Sequence, residues 1–121
     1  MKDILVLLLQ TQEQSRILHW QTTIYARHMA FGNFYDAVTP LIDNLVECYQ
    51  GKYGRIYLED DNTLTLKDIS DDNLNDLLNN LASSLSNDFN NEIEDEDTDL
   101  LNIRDEILAE INKLKYLLTL K

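Results

Sequence analysis

The sequence predicts an all-α protein, a four-helix antiparallel bundle, and three observations carry that prediction. Glycine and proline are scarce, with 3 and 1 in 121 residues, whereas an all-β fold spends both on its many tight turns. Leucine dominates the apolar residues. Four segments repeat apolar residues at the alternating three- and four-residue spacing of one helical face. A chain of this length forms one domain, residues 1–121, large enough to bury a core.

The first helix is predicted over residues 3–20, where Ile4, Leu8, Thr11, Ser15 and Leu18 share a face. Thr11 and Ser15 on that face imply close helix approach or a wetter interior. Thr22, Thr23 and Ile24 form a β-branched run, which either ends this helix or strains it. Phe31-Gly32-Asn33 reads as the cleaner break.

The second helix is predicted over residues 33–53, on a stripe of Phe34, Val38, Leu41, Leu45 and Tyr49. Pro40 lies inside it. A mid-helix proline removes a hydrogen bond and costs roughly 3 kcal/mol, so a kink is expected there, or a helix that starts at Thr39. Residues 55–69 form a connection, either a short two-stranded ribbon or an irregular crossover along the bundle.

The third helix is predicted over 71–89. Ser70 is its N-cap, Asp71 and Asp72 complement the helix dipole, and Leu74, Leu77, Leu78, Leu81, Leu85 and Phe89 face the core. The fourth, over 98–120, carries Ile103, Ile107, Ile111 and Leu114 and is expected to be the longest uninterrupted helix. Helices of this length, each near ~30 Å, pack naturally as a bundle.

The net charge is −12 and unevenly spread. Residues 59–99 hold fourteen acids against the single base Lys67, while the flanking segments are close to neutral. Such a surface repels nucleic acid and anionic membranes. It serves as a solvated face that keeps the chain soluble, or it docks a basic partner through Glu59, Asp60, Asp61, Asp71, Asp72 and Asp76. The apolar run from Ile4 to Leu9 is too short for a signal or a membrane span. Cys48 has no partner for an internal disulfide and sits in an apolar run, which predicts a buried thiol in a reducing compartment. These features predict a cytoplasmic protein.

No nucleophile–base arrangement, glycine-rich phosphate loop or Cys-His zinc spacing occurs, and the acids from Glu92 to Asp99 lack the pattern of a calcium loop. One constellation suits a metal. His19 and His28 flank the predicted end of the first helix. Asp43 and Glu47 are four apart on one face of the second, and Asp36 lies close to that face. Imidazoles with carboxylates suit iron, zinc or manganese. Taken singly, each of these residues also has an ordinary structural or solvated role. Histidines nine apart on one unbroken helix would point to opposite faces. A shared site therefore needs a break near Thr22–Ile24, or His19 of one chain meeting Asp43 and Glu47 of another.

Leu18-His19-Trp20-Gln21, then His28, then Asp43-x-x-x-Glu47 resembles the ferroxidase segment of Dps-type mini-ferritins, over residues 5–53. The resemblance implies a ferritin-like bundle with a long crossover between the second and third helices. It also implies iron as the metal, with His19, His28, Asp43 and Glu47 as ligands shared across a two-fold dimer interface. The chain departs from the pattern in three ways. The two histidines are closer together, Gly32 stands where the family has a further Asp, and no basic tail is present. Arg16 and Tyr25 stand where the Glu-x-x-His pairs of large di-iron bundles would need Glu.

A broader resemblance, carried by Ile17 to Thr22, Tyr49 to Arg55 and the Thr98–Leu118 segment, is to small uncharacterised tailed-phage proteins. It implies a viral protein in a host cytoplasm. Two functions follow as expectations: an iron-binding, ferritin-like protein, or a non-enzymatic interaction protein whose acidic face docks a basic partner or imitates nucleic acid. Trp20, Phe31, Phe34 and Tyr35 at the corner between the first two helices predict a dimer built there.

Overall fold

The computed structural model describes residues 1–68 and 71–121, and for Asp71 and Asp72 the backbone alone. The expected cap at Ser70 and the side chains of Asp71 and Asp72 therefore lie outside the described residues. The fold is all-helical, with four α-helices: α1 (Lys2–Gln21), α2 (Tyr25–Tyr53), α3 (Asp71–Ser86) and α4 (Thr98–Leu117). A 3-10 turn, Asp88–Asn91, follows α3. No strand occurs among the described residues, so residues 54–68 are an irregular connection and not a ribbon. No helix among them is long and apolar enough to cross a membrane.

The break between the first two helices falls at Thr22–Ile24, not at Phe31–Asn33. Thr22 is extended at φ −65°, ψ 143°, and Ile24 at φ −103°, ψ 116°. These β-branched residues favour that backbone. The Thr22 hydroxyl accepts from the Ile24 N–H at 3.2 Å. Gly32 is helical and lies inside α2. At 29 residues α2, rather than the 20-residue α4, is the longest helix.

Pro40 is also carried within α2. The Thr39 hydroxyl donates to the Tyr35 carbonyl at 2.6 Å. Pro40 and Asp36 are exposed, so water can take the carbonyl that the missing N–H leaves free. Gly54 ends the helix at φ 91°, a conformation open to glycine.

Packing runs in a circuit: α1 against α2, α2 against α4, α4 against α3 and α3 against α1. The core between them holds Leu8, Phe31, Phe34, Leu45, Leu78, Leu81, Leu85, Phe89, Leu100, Ile107, Ile111 and Leu114. Each such side chain contributes roughly 1.5–3 kcal/mol by leaving water. Leu78, fully buried, takes the central place on α3, and Leu77 beside it is half-buried. Phe31 and Phe34 belong to this core and so are not free to build a dimer. Cys48 is exposed, because the buried line of α2 runs through Val38, Ile42 and Leu45 and leaves position 48 to its side.

The inward hydroxyls of α1 are satisfied within the helix. Thr11 donates to the Leu7 carbonyl and Ser15 to the Thr11 carbonyl, each at 2.8 Å. A polar latch joins the end of α2 to the start of α4. Asp97, 3% exposed, accepts from Lys52 Nζ, from the Tyr53 hydroxyl and from the Glu94 N–H. The Lys52 ammonium, then the Tyr53 hydroxyl, hold the Asp97 carboxyl down at about 2.

Candidate functional site

The first candidate is the corner between α1 and α2. Because the chain turns at Thr22–Ile24, His19 in the last turn of α1 meets His28 in the first turn of α2. The imidazoles stack with centroids 3.8 Å apart and planes 18° apart. Each ring bonds the other residue's backbone. His19 Nδ1 lies 2.7 Å from the His28 carbonyl oxygen, and His28 Nδ1 lies 2.8 Å from that of His19. A carbonyl oxygen only accepts, so both Nδ1 atoms carry a hydrogen, and in the neutral rings both Nε2 atoms keep their lone pairs.

Tyr35 meets His19 edge-on at 5.3 Å, and the Arg16 guanidinium lies 4.7 Å above the Tyr35 ring. Gly32 gives the clasp its room: a Cβ there would stand 2.9 Å from His19 Cε1 and 3.0 Å from Nδ1. The position read from sequence as a helix break and a missing ligand is thus where an imidazole packs on bare backbone.

The carboxylates do not join the histidines within one chain. Asp36, Asp43 and Glu47 are all exposed on α2. Asp43 lies eleven residues beyond Gly32, ~16 Å along the helix axis. Among the described residues no group of three or more His, Cys, Asp or Glu is arranged to hold a metal ion. The set His19, His28, Asp36, Asp43 and Glu47 therefore does not fit a resident metal in a single chain.

The second candidate is the acidic connection and the groove beside α3. Four glutamines hold its backbone or its end. Gln50 accepts from the Ile56 N–H at 3.0 Å, and Gln10 from the Thr65 N–H at 3.3 Å. Gln14, 1% exposed, both donates to the Lys67 carbonyl at 2.8 Å and accepts from its N–H at 3.1 Å. Gln21 donates to Asp68 Oδ1 at 2.6 Å.

Because the backbone is gripped, the side chains from Tyr57 to Asp68 all face solvent. Glu59, at φ 67°, turns the chain, the Asp60 N–H donates to the Leu58 carbonyl at 2.7 Å, and Asn62 donates to the Asp60 carbonyl at 2.7 Å. Asp76 of α3 is exposed and lines one polar groove with Gln14, Thr65 and Lys67. Sequence reading missed the glutamines. Their signal was faint: Gln10 and Gln14 stand four apart on a helix whose inward face is partly polar.

These features define an all-helical protein whose acids gather along the connection, which leaves the end of α2 at Ile56 and returns to the α1–α2 corner, where Asp68 bonds Gln21. The chain belongs to the Family of unknown function (DUF5856), whose model matches residues 19–118. No curated protein and no solved structure matches it.

Proposed function

We propose that this protein is a non-enzymatic interaction module that docks a basic partner on the acidic surface formed by Glu59, Asp60, Asp61 and Asp76, with Asp71 and Asp72 adjacent in sequence. One observation carries this reading: the connection is fixed through its backbone by buried Gln14 and by Gln10 and Gln50, while its acidic side chains all face water. A solvated linker has no use for a buried glutamine that pairs with both polar groups of one peptide unit. A presented segment does, since fixing its backbone beforehand lowers the ordering cost of binding.

The fold we read beneath it is an antiparallel four-helix bundle with the connection crossing along its length, the ferritin-like arrangement. Support comes from contacts at both ends of the connection: Ile56 bonds near the end of α2, and Asp68 bonds Gln21 at the end of α1. Titration with a lysine-rich peptide tests the docking. The Asp60→Asn/Asp61→Asn/Asp76→Asn variant should bind at least ten-fold more weakly, with helix content unchanged. An equal loss in the charge-matched Asp105→Asn/Glu106→Gln/Glu110→Gln variant contradicts a defined surface.

A second reading, iron binding by a Dps-like protein, is favoured by the His19–His28 clasp. A ring that donates Nδ1–H to a carbonyl holds its Nε2 as metal-binding histidines do. It requires carboxylates such as Asp43 and Glu47 from a second copy. His19→Ala should then abolish iron uptake measured by metal analysis, and undiminished uptake by that variant rejects this reading.

A further inference from the structure

α1 and α3 meet along a seam that stays open. Asp3, Leu7, Gln10 and Gln14 line it from α1, at the alternating spacing of one helical face. Leu77, Asn80 and Ser84 line it from α3, and Asp88 follows them from the 3-10 turn. Packed interiors fill such spaces with side chains, but Asn80 and Ser84 are too short to do so. Two cavities result. One, of about 460 Å³, lies between the first turns of α1 and the Ser84–Glu92 end of α3. The other, of about 260 Å³, runs from Gln10 to Gln14 beside Asp76. Gln10 lines both, so they join in one groove that follows α1 from Met1 to Gln14, ~20 Å along the helix.

The groove has an apolar floor and an acidic rim. Ile4 is buried beneath it, and Val6, Leu7 and Leu77 are half-buried along it. Asp3, Asp76 and Asp88 are exposed and make no hydrogen bond or ion pair among the described residues. Two cations lie along the groove. The Met1 ammonium is bound to Glu92 at 2.9 Å, and Lys67 stands at the far end, where its backbone bonds Gln14. The larger cavity thus keeps two unpaired carboxylates, Asp3 and Asp88, above aliphatic side chains. The groove also adjoins the acidic connection, since Gln10 accepts the Thr65 N–H. Asp61 is four residues from Thr65, a reach of at most ~14 Å.

We propose that this groove docks a basic amphipathic helix of a partner protein. The apolar face of that helix rests on Val6, Leu7 and Leu77, and lysine or arginine on its flanks meets Asp3, Asp76 and Asp88. A helix is the form that fits, for two reasons. Both walls are lined at helical spacing, so the side-chain ridges of a third helix seat between them. No strand occurs among the described residues, so an extended peptide finds no sheet edge to pair with. The inference rests on the docking reading above, shares Asp76 with it, and names the form of the basic partner.

Fluorescence anisotropy with a labelled helical peptide of ~14 residues, leucine on one face and lysine on the other, tests it, since that length spans the groove. The controls are a peptide of the same composition reordered to have no apolar face, and a lysine-only peptide. The amphipathic peptide should bind about ten-fold more tightly than either. Asp3→Asn/Asp88→Asn changes two exposed residues and should weaken its binding about ten-fold, with lysine-only binding and helix content unchanged. Ser84→Trp, which fills the larger cavity, should block the amphipathic peptide. Amide chemical shifts on its addition should move along Asp3–Gln10 and Leu77–Glu92. Equal affinity for the amphipathic and reordered peptides, undiminished binding by Asp3→Asn/Asp88→Asn, or shifts centred on Trp20–Met29 overturns this inference. It falls alone where the lysine-only peptide still binds and loses affinity in the Asp60→Asn/Asp61→Asn/Asp76→Asn variant. Binding of none of the three peptides overturns the docking reading as well.

Discussion

Replacing Gly32 with alanine puts two opposed effects at one position. Gly32 lies inside α2 with helical backbone, so alanine fits its dihedral angles. On helix propensity alone Gly→Ala stabilises by ~1 kcal/mol. The new methyl, however, would sit 2.9 Å from His19 Cε1 and 3.0 Å from Nδ1. The ring cannot swing away without giving up its stack on His28 and its bond to the His28 carbonyl. Each of the two clasp bonds contributes ~0.5–1.5 kcal/mol, or ~1–3 kcal/mol together, and crowding of packed side chains typically costs ~1–3 kcal/mol. The expected balance is a net loss of ~1–2 kcal/mol, measured by urea unfolding followed by circular dichroism. Gly51 is the internal control, since a Cβ there meets nothing within 4 Å. Gly51→Ala should be neutral or stabilise by up to ~1 kcal/mol. In a His19→Ala background, Gly32→Ala should turn from destabilising to stabilising. If Gly32→Ala stabilises the otherwise unaltered chain as Gly51→Ala does, the clasp does not constrain the corner and the reasoning fails.

Ile107 is fully buried at the centre of α4, so Ile107→Ala should cost about 2–4 kcal/mol, and a loss below ~1 kcal/mol would refute its core placement. Gln14→Ala removes both bonds to Lys67, so trypsin should cut after Lys67 faster while helix content holds; unchanged cleavage would mean that Gln14 does not anchor the connection. Asp97 is held at about 2, below its ordinary 3.8, mainly by Lys52 and then by Tyr53. A depressed carboxyl contributes stability that is present above the ordinary value and is lost as pH falls through the folded one. The gap in urea midpoint between the parent chain and Asp97→Asn should therefore stay constant above about pH 4 and close toward about pH 2, and a gap independent of pH would remove the latch as its cause.

Helical class, helix number and most core residues were legible because periodicity reports burial directly: Leu8, Phe34, Val38, Leu45, Leu81, Ile107 and Ile111 all sit where their spacing places them. The misplaced boundaries come from residues whose local preference the rest of the structure overrules. Gly32 reads as a break, but it is helical and spaced to admit His19, thirteen positions earlier. Pro40 reads as a kink or as a helix that starts at Thr39, and the start is excluded, since α2 runs from Tyr25 through Pro40 to Tyr53. Of the candidate site, the pairing of His19 with His28 was legible once a break at Thr22–Ile24 was considered. The glutamine grip on the connection was not, because Gln14 and Lys67 are far apart in sequence and carry no shared pattern. The Asp97 latch was hidden for a different reason: it lies within a run of acids where composition singles out none.

Mapping a lysine-rich peptide onto the chain by amide chemical shifts tests the central claim most directly, since it reads the surface residue by residue. The docking account predicts perturbations concentrated between Tyr57 and Asp68 and around Asp76, fading as salt is added. Shifts spread equally over Glu92–Asp99 and Asp105–Glu110 would contradict it, because they would show only the diffuse pull of net charge and no built surface.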